Sequence, residues 1–252
     1  MKLALLQLPS PAGDRGAALA ALGPALAAAG AAGAVMLVTP ETFLPGYNVP
    51  NPSGRALTRE EATRIVAPLC RAAGCGVVLG YAERAGGTLY NAALAIDATG
   101  AVLTNYRKIQ LYGAREKALY TAGDAYATFD LDGIRAALLI CYDVEFAQHV
   151  AALQRREVRL LLVPTANMLP FTHVSRATVP AHAANGGMTI VYANFCGRER
   201  DLTYAGRSLI AGPRGEIIVE AGAEATALMV AEMPVPDPLR SFDPLADYRE
   251  VR

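Results

Sequence analysis

Residues 134–146, IRAALLICYDVEF, decide how this chain is read. The first seven are apolar except for Arg135. That run is too short for a stable helix and continuous enough for a strand buried on both faces. Asp132-Gly133 precedes it, a hairpin signal that pairs it with a strand expected over 123–131. Cys141 then stands where the strand gives out, before a helix expected over 146–155. Open α/β sheets gather their sites at such carboxyl ends. A nucleophile on a sharp turn there has backbone N–H groups beside it for an oxyanion. Position alone still favours the plainer alternative, a buried structural thiol, where most free cysteines go.

Working outward, short apolar or alternating runs predict strands over 2–7, 34–39, 76–83, 89–97, 102–107, 160–164, 189–194, 208–211, 216–220 and 226–231. Ala98-Thr99-Gly100 and Gly212-Pro213-Arg214-Gly215 mark two further hairpins. Helices are expected over 13–32, with a break near Gly23-Pro24, over 58–73, and over 174–186, where Pro180 perturbs the pattern. Thr58 with Glu61 three residues on makes a capping box for the second of these. No repeat or composition break interrupts the chain. It therefore reads as one α/β domain over 1–252, with mixed sheets whose faces the helices cover.

The totals exclude several function classes. Lys plus Arg number 23 against 23 for Asp plus Glu, with no basic run, so nucleic acid is not the expected partner. The Ala-rich stretch 17–29 contains Gly23 and Pro24 and lacks the bulk of a membrane span. MKLALLQLPS, interrupted by Gln7 and Pro9, reads as a strand rather than a signal peptide, so a cytoplasmic location is expected. There the four cysteines (Cys70, Cys75, Cys141, Cys196) stay free thiols. His149, His173 and His182 have no zinc-ligand spacing with one another or with the cysteines, so no metal is expected.

A thiol nucleophile needs a base, and the three histidines have weak claims by position. Two charged residues offer another route. Glu41 ends an apolar strand in VTPETFLPGY, and Lys108 ends another in NYRKIQLYG. A desolvated glutamate with a raised pKa can take a thiol proton. A lysine that keeps its charge can stabilise a thiolate and an oxyanion. Each alone is more ordinary as a turn or strand-end residue. Three such residues in similar settings shift the balance.

The order Glu, Lys, Cys in PETFLPGY, YRKIQLYG and LLICYDVEF resembles the nitrilase superfamily of carbon–nitrogen hydrolases. YNAALAID, PTAN, YANFCG and the GPRGEII hairpin extend the resemblance over nearly the whole chain. It implies an α-β-β-α sandwich that dimerises through helices, with the tail 234–252 at the dimer interface. It implies Cys141 as nucleophile, Glu41 as general base, and Lys108 with the Tyr142 backbone N–H as oxyanion stabilisers. Glu116, in REKALYTAGD, matches a second glutamate of the family, and Asp143 and Glu145 would support the turn. No metal or organic cofactor would be needed. CYDVEF and the absence of Trp resemble the amidase branch rather than true nitrilases.

The implied function is hydrolysis of a small carboxamide to acid and ammonia through a cysteine thioester. N-carbamoyl hydrolysis and an inactive binding protein on the same fold are the rivals. Tyr47, Phe146 and Asn167 are the expected substrate contacts. Two departures fall on supporting positions. Ala147-Gln148 stand where relatives carry Pro-Glu, and His182-Ala183-Ala184-Asn185-Gly186 where they carry Arg-Ala-x-Glu-Asn.

Overall fold

Alternate residues of the first strands face two different cores. The computed structural model, which describes residues 1–234 and Arg249, begins with β1 (Lys2–Pro9), α1 (Arg15–Ala31) and β2 (Ala34–Val38). Leu3, Leu5, Met36 and Val38 join one apolar cluster. Ala4, Leu6 and Leu37 join another with Ala18, Leu22 and Leu26 of α1. Period-two side chains thus bury both faces of these strands, as their continuous apolar character requires.

Next come α2 (Arg59–Ala73), β3 (Gly76–Ala85), β4 (Thr88–Ile96), β5 (Val102–Arg107), α3 (Gly113–Leu119), β6 (Thr128–Leu131), β7 (Ile134–Leu138), α4 (Ala147–Gln154) and β8 (Leu160–Pro164). The remainder is α5 (Val179–Gly186), β9 (Thr189–Ala193), β10 (Phe195–Cys196), β11 (Arg198–Glu199), β12 (Leu202–Thr203), β13 (Leu209–Ala211), β14 (Ile217–Glu220) and β15 (Ala227–Glu232). One sheet runs β10-β1-β2-β3-β4-β5 with β15 antiparallel to β1, and the second runs β14-β13-β9-β8-β7-β6. Their facing sides share the first cluster, which continues through the second sheet to Val150 and Leu153 of α4 and Val179 and Ala183 of α5. With α1 and α2 on the other outer face, the layers are α-β-β-α and both sheets are mixed, as expected.

Several boundaries differ from expectation. α1 is unbroken at Pro24, because Pro24 is exposed and the carbonyl it leaves without a donor can be hydrated. The capping box at Thr58 forms, with Glu61 N–H to Thr58 Oγ1 at 3.2 Å and Thr58 N–H to Glu61 Oε2 at 2.8 Å. A further hairpin turns at Gly86-Gly87, joining β3 to β4. β6 starts at Thr128 rather than 123, and β7 ends at Leu138, so Cys141 opens a 3₁₀ turn, Cys141–Glu145, instead of closing the strand. The helix expected from 174 opens as a π turn, Val174–Thr178, and becomes α-helical at α5.

All four cysteines are free. Among the described residues, no helix is long and apolar enough to cross a membrane. The tail expected at a dimer interface lies, but for Pro234 and Arg249, outside the described residues.

Candidate active site

Four chain segments leave the sheets at strand carboxyl ends and meet. Glu41 follows β2, Lys108 follows β5, Cys141 follows β7, and Thr165 to Asn167 follow β8. The Glu41 N–H donates to the Thr165 carbonyl at 3.1 Å, which ties the two sheets together at this point.

Glu41, Lys108 and Glu116 are fully buried. The Lys108 ammonium donates to Glu41 Oε1 at 2.6 Å and to Glu116 Oε1 at 2.9 Å. Asn91 Nδ2 also donates to Glu41 Oε1 at 2.6 Å, while Glu41 Oε2 has no partner within the protein. A buried carboxylate oxygen without a donor is costly unless it has work to do with a reacting group. Glu116 is held on its other side by the Tyr47 hydroxyl, 2.6 Å to Oε1, and the Tyr112 N–H, 2.9 Å to Oε2. Arg115 clamps the loop bearing Tyr47 by donating to the carbonyls of Tyr47 and Val49.

The electrostatics follow from burial and these contacts. Burial raises the Glu41 carboxyl to about 6, against the opposing pull of Lys108. Burial alone would lower Lys108, but the Glu41 and Glu116 carboxylates outweigh it and hold the ammonium well above its ordinary range. The Cys141 thiol is pushed well up, first by burial and then by the Glu41 charge. Lys108, with Thr165 and Ala166 beside the sulfur, pulls the other way. At neutral pH the cluster therefore pairs a neutral thiol with an ionised glutamate and a charged lysine.

Cys141 sits at φ +46°, in the left-handed region, and Thr42 beside Glu41 sits at φ +43°. Such non-glycine conformations cost about 1–3 kcal/mol and persist only where surroundings impose them. Asp143 does much of the imposing. Its carboxylate accepts from the Ile140 N–H at 3.0 Å, the Gln110 N–H at 2.7 Å and the Tyr106 hydroxyl at 2.8 Å. Burial lifts that carboxyl to about 6 as well, against Lys108 and these donors. Asp143 thus supports the turn, as expected. Glu145 closes the same turn, with no hydrogen bond or ion pair on its side chain among the described residues.

The expected substrate contacts fall in different settings. Tyr47 is buried with its hydroxyl committed to Glu116. Asn167 spends its amide N–H on the Phe171 carbonyl at 2.9 Å. Phe146 is half-buried and packs edge-on against Tyr142, ring centroids 4.9 Å apart. Tyr142 in turn meets Tyr112 at 5.3 Å, and Tyr112 meets Phe171 at 6.1 Å, a continuous aromatic rim next to Cys141. His149 bonds Tyr126 and Gln110 instead of the thiol. Among the described residues, no three His, Cys, Asp or Glu side chains gather to hold a metal.

Asn91 and Gly80 were not singled out from the sequence. Asn91 carried a signal, its place in YNAALAID. Gly80 carried none. A Cβ there would stand 2.1 Å from the Pro40 carbonyl oxygen and 2.8 Å from the Thr42 nitrogen, so only glycine lets β3 approach the backbone carrying Glu41. Gly123 does the same beside Lys108, where a Cβ would lie 2.2 Å from the Arg107 carbonyl oxygen. Gly80→Ala is expected to displace Glu41 and lower kcat/KM about 100-fold. Steady-state kinetics beside a denaturation curve check this, with loss of activity exceeding any loss of folded protein.

The chain is similar to several known proteins. The sequence profile of the carbon–nitrogen hydrolase family matches residues 2–237. The amidase from Nesterenkonia sp. AN1, solved as a glutamate-to-glutamine mutant with acrylamide added at its active-site cysteine, superposes with a TM-score of 0.89. It is 34% identical, over 99% of this chain and 96% of that one. The same enzyme has been solved in complex with butyramide, with a TM-score of 0.88 at 33% identity over 99% and 94% of the two chains. An (R)-stereoselective amidase from a Pseudomonas species is 32% identical over 227 residues, 89% of this chain and 82% of that one. The chain therefore belongs to the carbon–nitrogen hydrolase family, within the nitrilase superfamily, and is an amidase acting on C–N bonds.

Proposed function

We propose that this protein hydrolyses a small carboxamide to the carboxylic acid and ammonia, with Cys141 as the covalent nucleophile. The observation that carries the reading is the buried contact of Lys108 with both Glu41 and Glu116, in the electrostatic reach of Cys141. The capture of butyramide by the Nesterenkonia enzyme favours a short aliphatic acyl group.

The steps follow from the charges. Glu41 takes the Cys141 proton as the sulfur attacks the carbonyl carbon. The new oxyanion is met by the Lys108 ammonium and the Tyr142 N–H, the first amide past the nucleophile. The C–N bond then breaks, Glu41 returns the proton to the departing nitrogen, and ammonia leaves a thioester on Cys141. Water gives a proton to Glu41 and attacks the thioester, and the acid departs as the sulfur regains its proton. Glu116 keeps Lys108 charged and aimed, and Tyr47 and Asn91 hold the two carboxylates. Phe146 and Tyr142 offer the acyl group apolar surface.

A base at about 6 sets the pH dependence. Glu41 must be ionised to act, so kcat/KM is expected to rise as pH increases through about 6 and level off above it. The limb belongs to the coupled cluster rather than to one residue. The stability linkage has the opposite sign. A raised carboxyl binds more protons folded than unfolded, so Glu41 and Asp143 make the fold less stable as pH rises toward and through about 6. A kcat/KM profile flat from about pH 5 to about pH 7.5, a range that brackets that base, contradicts the assignment.

Product analysis separates the substrate classes. Ammonia without carbon dioxide from an amide panel supports the carboxamide reading, and release of both from ureido acids would replace it with N-carbamoyl hydrolysis. The helix-mediated homodimer is carried forward with the function, and sedimentation giving a pure monomer would remove it.

A further inference from the structure

Glu145 closes the 3₁₀ turn that Cys141 opens. Its side chain is half-buried, yet no hydrogen bond or ion pair engages it among the described residues. The other carboxylates around the site each have donors, although Oε2 of Glu41 takes none of them. Glu41 and Glu116 share Lys108, and Asp143 accepts from three donors. A carboxylate removed from much of its water without a partner is unfavourable, and the unfavourable term is relieved when a cation binds beside it.

The surroundings suit a cation. Tyr142 and Phe146 flank Glu145 in the chain, and the rim continues through Tyr112 to Phe171. Aromatic faces attract ammonium groups through their quadrupoles. The Glu145 charge acts on the same tyrosines as the Cys141 sulfur, raising both Tyr112 and Tyr192 behind the dominant effect of burial. The basic side chains that act on Glu145 are His173, at the exposed edge of the rim, and Lys108, itself bonded to Glu41 and Glu116.

We infer that Glu145 is a specificity-determining residue that selects amides carrying a positively charged amine at the end remote from the reacting carbonyl. This rests on the proposed amidase site, since it names the substrate class for that site. The ammonium of such a substrate lies between Glu145 and the aromatic rim while the amide carbon meets Cys141. A substrate ending in carboxylate meets like charge there and is disfavoured.

Two measurements test it on the full-length protein. The first compares kcat/KM for a matched alkanamide series, at two chain lengths, whose far end bears an ammonium, a methyl or a carboxylate. The ammonium member is expected to exceed the methyl member about tenfold, and the carboxylate member to fall below it. In Glu145→Gln the ammonium-to-methyl ratio is expected to collapse to within about threefold, and in Glu145→Arg the order of charged members to invert. Equal rates across the series, or a preference that survives Glu145→Gln, overturn the inference. The second needs no turnover. Cys141 is modified with cationic and anionic methanethiosulfonates, and the ratio of their rates is expected to fall about tenfold in Glu145→Gln. A ratio unmoved by that change also overturns it. Failure of every alkanamide to be hydrolysed sinks the amidase reading instead, and the thiol-modification ratio then still decides the role of Glu145.

Discussion

Cys141→Ala is expected to lower amide turnover by about 10⁴-fold or more while leaving the fold in place. The sulfur forms the bond that replaces C–N, so no other group can carry the acyl fragment. Cys70, Cys75 and Cys196 are buried elsewhere and cannot substitute. Alanine retains the Cβ at φ +46°, so the backbone of the turn is not asked to change. The three bonds to Asp143 that hold the turn also remain. Stability is therefore expected to shift by no more than about 1 kcal/mol, since only the packing of one sulfur atom is lost. Steady-state kinetics and chemical denaturation on the same preparation check both halves. Substantial turnover by the folded variant would remove Cys141 from the mechanism.

Lys108→Met should damage activity and stability together. Methionine fills similar space but leaves Glu41 Oε1 and Glu116 Oε1 facing each other without the ammonium between them. Breaking a buried ion pair by removing one partner costs about 3–5 kcal/mol, because the remaining charge stays buried. Loss of an oxyanion donor lowers kcat by about 10²–10³. Freed of Lys108, the Glu41 carboxyl binds its proton still more tightly when folded than when unfolded. The variant should therefore gain stability as pH falls from 7.5 toward 5.5, values bracketing about 6 where Glu41 already titrates. Denaturation at the two pH values measures this. Replacing Glu116 by Gln in the same variant should restore part of the stability without the activity. Equal stability of Lys108→Met and the unsubstituted protein at both pH values would contradict the buried triad.

What was legible in the sequence was what local patterns encode. LLLVP is β8 to the residue, because an uninterrupted apolar run bounded by turns has few other uses. The capping box at Thr58 set the start of α2. The turn at Asp132-Gly133 placed β6 against β7. Where neighbours in space decide, the sequence was mute. Pro24 lies inside α1 because its face is exposed, a fact about packing. Gly86-Gly87 joins strands whose pairing, Val77 with Ile96 through Ala85 with Thr88, is settled along their length rather than at the turn.

The site divides in the same way. Glu41, Lys108, Glu116 and Cys141 drew attention through strand ends and motif order, and the fold brings the three charged groups into contact. Tyr47 read as a substrate contact because it follows Glu41 in a loop. Its hydroxyl meets a carboxylate 69 positions away, which no spacing rule conveys. The resemblance placed Asp143 and Glu145 together in the turn and its support. The difference between a carboxylate with three donors and one with none is visible only in three dimensions.

The claim at the centre is that the acyl group passes through a thioester on Cys141. Mixing enzyme with an equimolar alkanamide, quenching in acid over a time course, and mapping the peptides by mass spectrometry tests it most directly. A transient acyl mass is expected on the peptide containing Cys141, formed as ammonia appears and gone as the acid accumulates. Ammonia release with no acyl-enzyme at any quench time, or the acyl mass on another side chain, would contradict it.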